Sequence, residues 1–209
     1  PRMKYTIVCN EMKWPVDPVE IWEGGTNGLP LQNATTTGYY LKKYVNNTIS
    51  FEAGSTVTKK QHNWVLFRYG EILLNYAEAM INAFHDPNYK DAVYNMSARE
   101  AVNQIRGRTN ISLPGFPSDI TEKDFVKRLK NERRVELAFE GHRFWDVRRW
   151  KELGQTANIY GVKITKNNEV ISYEKFLLET RAVTDNMYFY PIPNTERFKN
   201  PNLGQNPGW

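Results

Sequence analysis

Glu132-Arg133-Arg134-Val135-Glu136-Leu137-Ala138-Phe139-Glu140-Gly141, continued through His142 by Arg143-Phe144-Trp145-Asp146-Val147-Arg148-Arg149-Trp150, decides the reading of this chain. It sets acids, bases and large rings side by side at helical spacing. A solvated helix would not carry two Trp and two Phe among so many charges, and a plain core helix would not carry so many charges. Glu136 and Glu140 stand at i,i+4, Glu140 and Arg143 at i,i+3, and Arg149 three residues past Asp146. Burying an ion without a partner costs several kcal/mol. The spacing therefore predicts that Glu132, Arg133, Glu136, Glu140, Arg143, Asp146 and Arg149 form a structural ion-pair network, with arginines cross-linking helices through forked hydrogen bonds and the aromatics buried beside them. Two carboxylates near an arginine also fit acid–base chemistry on a glycosidic bond; the desolvation argument places that reading second.

Outward from this stretch the pattern is helical. Residues 63–84 read as a helix capped by Asn63. Arg68, Glu71, Asn75, Glu78 and Asn82 make one narrow polar stripe, the default for a hydrogen-bonded seam against neighbouring helices. Nearly everything else in it is apolar, which predicts packing on most sides and puts Trp64 in the core. Asp86-Pro87 breaks it, and a second helix beginning near Lys90 or Ser97 runs to Arg106. The pair is compatible with one tetratricopeptide-like hairpin, small alanines lying where the helices approach. Thr121 with Asp124 starts a third helix expected to reach Glu140, and a fourth runs from there to near Gly154. Segments 159–164 and 170–173 around Lys166-Asn167-Asn168 read as a β-hairpin. Tyr188-Phe189-Tyr190-Pro191-Ile192-Pro193 is extended, and the tail is irregular. Residues 1–62 are turn-rich, so the division is a loop-rich, ligand-facing part at 1–62 and a helical scaffold at 63–209.

Composition narrows the function. A formal net charge of +5 could suggest nucleic acid, but basic and acidic residues interleave without a like-charge run. Cys9 is alone, and His62, His85 and His142 lack metal-ligand spacing, so neither a disulfide nor a metal or other cofactor is implied. No apolar run approaches the ~20 residues of a membrane span. The chain opens at Pro1 without a signal peptide, which reads as a piece of a longer protein.

Four ordered blocks then support a family. Arg68-Tyr69-Gly70-Glu71-Ile72-Leu73-Leu74-Asn75-Tyr76-Ala77-Glu78-Ala79 is followed by Ala101-Val102-Asn103-Gln104-Ile105-Arg106-Gly107-Arg108, the Glu132–Trp150 stretch, and finally Tyr190-Pro191-Ile192-Pro193 with Gln205-Asn206-Pro207-Gly208-Trp209. In this order they resemble the C-terminal part of the SusD/RagB family, and Gly38–Val45 looks like the entry to that region. The resemblance implies a mainly α fold of tetratricopeptide-like helix pairs with a loop-rich subdomain and a few short strands. It implies a non-catalytic outer-membrane lipoprotein on the cell surface, capturing glycans (peptides in some relatives) for a SusC-like TonB-dependent transporter. Membrane attachment would come only through an N-terminal lipid anchor absent from this chain.

No family motif fixes the ligand residues, so they are chosen by chemistry. Sugars stack their C–H faces on aromatic rings while amides and arginines bond the hydroxyls. Trp22, beside Glu23-Gly24-Gly25-Thr26-Asn27-Gly28, has the best setting, with Asn27 as a polar partner; Trp14 and Tyr39 follow. The plain alternative makes these rings hydrophobic plugs under a long loop. His142 reads as a structural donor rather than a base. A protein-binding scaffold or a peptide-binding lid is the alternative to glycan capture, ahead of a glycoside hydrolase.

Overall fold

The computed structural model describes residues 2–49 and 59–209. They form two compact units that the chain enters alternately, Pro1–Val8 with Leu41–His142 and Cys9–Tyr40 with Arg143–Trp209. The expected division after residue 62 falls inside the first unit. Residues 50–58 of the expected loop-rich part lie outside the described residues.

The first unit opens with a single turn, α1 (Met3–Thr6), and a short strand, β1 (Ile7–Val8); β2 (Tyr40–Leu41) marks the return from the second unit. Three helices build its core: α2 (Tyr69–Phe84), α3 (Ala98–Arg106) and α4 (Glu122–Glu136). Leu73, Leu74, Ala77, Met80 and Ile81 of α2 share one apolar cluster with Ala98, Ala101, Val102 and Ile105 of α3 and with Phe125 and Leu129 of α4. The three alanines are wholly buried, and a methyl side chain is what lets helix backbones come close.

The helix ends follow local chemistry. Ser97 caps α3 by accepting from the Glu100 amide at 3.1 Å, while Glu100 accepts from the Ser97 amide at 2.8 Å, a reciprocal capping box. Thr121 accepts from the Asp124 amide at 3.2 Å and starts α4. His85, at φ 57°, closes α2 with its N–H on Ile81 O, and Asp86-Pro87 then prevents continuation.

Two boundaries differ from expectation. The first helix starts at Tyr69, not near Asn63, because Arg68 is extended and its guanidinium is drawn away to carboxylates beyond α4. Trp64 is therefore 75 % exposed, not core, as are its neighbours Val65, Leu66 and Phe67. Within α2, Tyr69 and Ile72 are exposed too, so the helix buries one face rather than most of its circumference. The third helix stops at Glu136, not Glu140. Phe139 at φ 65° and Gly141 at φ 83° turn the chain before α5 (His142–Arg149) begins.

The second unit is built on a long antiparallel hairpin, β3 (Asn158–Asn167) and β4 (Val170–Thr180). Its arms are longer than the sequence pattern suggested, and Asn168 at φ 55° occupies the turn. A register shift between Ile159 and Tyr160 bends the far end. Backbone bonds Val162 N–H to Thr37 O (3.0 Å) and Glu23 N–H to Ile164 O (2.9 Å) lay the loop residues 20–38 along β3. A short helix, α6 (Asn194–Lys199), precedes the tail.

Candidate functional site

The loop carrying Trp22 is held by its own polar residues. Asn27 Oδ1 accepts from the Glu20 amide at 3.1 Å and from Thr26 Oγ1 at 3.2 Å, and Glu20 Oε2 accepts from both donors of Thr26. Tyr40 Oη donates to Asn27 O at 2.6 Å and accepts from the Thr35 amide at 3.1 Å, tying this turn to the next segment. Gly28 is obligatory in this turn, since a Cβ there would lie 2.0 Å from Trp22 O.

Trp22 is half-buried, with Lys166 Nζ 4.6 Å from its ring centroid. A cavity of about 260 Å³ is lined by Ile21, Glu23, Thr35, Thr36, Lys163 and Phe176, among others, and Trp22, Asn27, Tyr39 and Trp14 are not among its lining residues. Glu23 and Lys163 pair at 3.3 Å, both about half exposed. This volume lies below the ~300–1,000 Å³ of most ligand clefts, so the cavity suits one ring rather than a chain. Asn27 spends its carbonyl inside the loop, which leaves its NH₂ without an acceptor among the described residues. Tyr39 is 41 % exposed on the adjoining segment. Trp14 is half-buried on a separate tight reversal closed by Lys13 and Pro18. The sequence named Trp22, Asn27 and Tyr39 in neighbouring segments but not Lys166, Lys163 or Phe176. No periodicity could bring a hairpin at 158–180 against a loop at 20–38.

The charged stretch divides between the units, Glu132–His142 in the first and Arg143–Trp150 in the second. Glu132, Glu136 and Glu140 point into a set of bases supplied mostly from elsewhere in the chain. Glu132 pairs with Arg2 and Arg106, each at 2.7 Å. Glu136 pairs with Arg2 at 2.9 Å and with Arg68 and Arg108 at 2.7 Å. Glu140 takes two donors from Arg68, at 2.7 and 2.8 Å, and is bonded by Lys43. Arg68 and Lys43 also donate to main-chain oxygens, of Glu136 at 2.7 Å and of Ala138 at 3.0 Å respectively. Burial alone would raise the Glu136 and Glu140 carboxyls; the hydrogen bonds from Arg68, with Arg2 and Arg108 at Glu136 and Lys43 at Glu140, outweigh it and hold both below the ordinary glutamate range.

The remaining members of the stretch divide. Arg133 is buried and donates to Asn75 Oδ1 at 2.6 Å. Asp146 and Arg149 make the i,i+3 pair at 2.9 Å. Arg143 donates to Gln155 Oε1 at 2.9 Å. His142 Nε2 faces Glu71 at 3.6 Å. Among the described residues no cluster of three or more His, Cys, Asp or Glu could hold a metal ion, and no helix is long and apolar enough to cross a membrane.

A profile described as the SusD family matches residues 1–209. The chain belongs to the SusD family. SusD-like protein P2 of Formosa agariphila is 29 % identical over 163 residues, 75 % of this chain and 28 % of that protein. SusD-like protein P38 of the same organism is 37 % identical over 150 residues, 69 % of this chain and 24 % of its own length. The chain thus spans about a quarter of these curated relatives. The crystal structure of a SusD-like protein from Bacteroides fragilis superposes on the whole chain with a TM-score of 0.79 at 27 % identity, using 39 % of its own length.

The last SusD-like block acquires a physical meaning in the second unit. Gln205 clamps Ile192 with both ends of its amide, accepting from Ile192 N–H at 2.7 Å and donating to Ile192 O at 3.0 Å. Asn206 Nδ2 donates to Tyr190 O at 2.6 Å, and Trp209 Nε1 to Asn186 O at 3.0 Å. The two halves of that block are one hydrogen-bonded unit in this SusD-family chain. A further feature corrects the sequence reading. Phe144 and Trp145 are 41 % and 58 % exposed rather than buried. An eight-residue helix that buries Asp146 and Val147 turns them the other way. With Tyr190 they form a cluster of three rings 5.0–6.1 Å apart, Arg148 lying 3.6 Å over Phe144.

Proposed function

We propose that the protein containing this chain is a non-catalytic, lipid-anchored subunit of the bacterial outer surface that captures oligosaccharides and passes them to a SusC-like TonB-dependent transporter, with no cofactor. Membership of the SusD family over all 209 residues supports the reading. The observation that carries its ligand side is Trp22, a half-buried ring on a braced loop whose neighbours Ile21 and Glu23 line a cavity, with the Asn27 NH₂ lacking an acceptor among the described residues. Tetratricopeptide-type helix pairs, the anchor and transporter docking belong to the longer protein in this proposal. Calorimetric titration with an oligosaccharide panel tests it. The expected result is saturable binding of at least one glycan, weakened about tenfold or more in Trp22→Ala, the loss of one good stacking contact, with unchanged melting. No binding by the intact protein, or wild-type affinity in folded Trp22→Ala, overturns it.

A second reading, contact with a protein or peptide, is favoured by the exposed Phe144–Trp145–Tyr190 cluster. Capture of a purified TonB-dependent barrel without any glycan affinity would favour it.

A further inference from the structure

The ionic centre of the first unit is unbalanced. Among the described residues, Arg2, Lys43, Arg68, Arg106 and Arg108 share three carboxylates, those of Glu132, Glu136 and Glu140. Two positive charges are left in excess in a cluster whose acids are nearly wholly buried. Beside the cluster opens a cavity of about 700 Å³, lined by Arg2, Lys43, Arg68 and Arg108 and by a single carboxylate, Glu136. That volume lies within the ~300–1,000 Å³ of small-molecule clefts.

The cavity wall also carries unused donors. Arg108 gives Nε to Ile105 O and one Nη to Glu136, leaving its other Nη without an acceptor among the described residues. Tyr5, Thr109 and Asn110 line the same space, and their side-chain hydroxyls and amide likewise make no hydrogen bond among the described residues. Arg2 is 8 % exposed, and its Nε has no acceptor. Each carboxylate of the cluster already faces two or three bases, so a further partner must bring its own negative oxygens. Forked guanidinium groups with flanking hydroxyl and amide donors are the usual recognition set for such groups.

We propose that this cavity binds a small oxyanion-bearing ligand, a sulfate, phosphate or carboxylate group, with Arg108 as its principal exposed contact and Tyr5, Thr109 and Asn110 as orienting donors. The site is separate from the Trp22 loop and does not depend on the reading of that loop. It also differs from diffuse attraction to a net charge of +5, because it is saturable and local.

Isothermal titration of the intact protein with sodium sulfate, inorganic phosphate, acetate and chloride, at constant ionic strength, tests it. The expected result is one saturable site at least tenfold tighter for an oxyanion than for chloride, weakened about tenfold in Arg108→Gln, the loss of one charge-assisted bond. Tighter sulfate or phosphate assigns a tetrahedral dianion, and tighter acetate assigns a carboxylate. Arg108 also touches Glu136, so a Thr109→Val/Asn110→Leu double variant, which keeps every charge, provides a second arm and should bind several-fold more weakly. Lys199→Gln, at an exposed surface pair, should bind as wild type. No preference over chloride, equal weakening by Lys199→Gln, or wild-type affinity in both folded cavity variants overturns the proposal.

Discussion

Replacing Glu136 by glutamine probes the ionic centre directly. The change conserves volume and removes one charge from a residue that is 6 % exposed and contacts Arg2, Arg68 and Arg108 within 2.9 Å. Glutamine keeps one acceptor oxygen but turns an NH₂ toward a guanidinium, donor against donor. Breaking a buried pair from one side costs about 3–5 kcal/mol. Arg108 and Arg68 are 44 % and 25 % exposed at their side chains, so water replaces part of what they lose and the expected cost falls to about 2–3 kcal/mol. Urea unfolding followed by far-UV circular dichroism at pH 7 measures it. The pH dependence carries a sign of its own. Both Glu136 and Glu140 have lowered folded-state values. Their contribution is therefore complete above the unfolded glutamate value of about 4.3 and is lost as the pH falls through the folded values. Glu136→Gln should accordingly be less stable at pH 7 and show a shallower acid slope. A variant within about 0.5 kcal/mol of wild type, with an unchanged acid slope, would refute the view that these contacts hold the unit together.

Three further substitutions have defined outcomes. Ser97→Ala removes the side-chain half of the α3 capping box and should cost about 1 kcal/mol in the same unfolding assay. Gly208→Ala places a Cβ 2.7 Å from Asn186 Cβ at φ +85°; hydrogen exchange at the Ile192 amide, held by Gln205, should accelerate about tenfold, matching the ~1–2 kcal/mol of left-handed strain. Gly28→Ala meets Trp22 O at 2.0 Å and should abolish any ligand binding that needs Trp22, read by the same glycan titration, while far-UV dichroism of the helices stays unchanged.

What the sequence could reveal was whatever is written within a turn or two of the residue concerned. Thr121 with Asp124 marks a helix start by chemistry that acts over three residues, and α4 begins there, while of the two starts offered for α3, Lys90 or Ser97, the helix takes Ser97. Asp146–Arg149 was visible for the same reason. The start of α2 was not, because Arg68 answers to Glu136 and Glu140, about seventy positions away. The longest link of the ionic centre, Arg2 to Glu136, spans 134 positions. Helical spacing identified charges that required partners and then offered the nearest ones along the helix. The same limit applies to the candidate ligand loop, whose turn residues were legible while its floor on β3 was not.

The electrostatics of the centre bear on what it can do. A glycosidase of the usual kind needs one carboxyl raised enough to donate a proton near neutral pH and a second left free to attack or to activate water. Glu136 and Glu140 are displaced in the opposite sense, and their oxygens are already engaged by Arg2, Arg68, Arg108 and Lys43. A proton placed on either would have to displace a guanidinium or an ammonium. These two carboxylates are therefore poor candidates for an acid–base pair and good anchors for cations. The surplus cations that face them beside an open cavity, Arg2, Lys43, Arg68 and Arg108, have chemistry still to offer, and an anion is what that chemistry calls for.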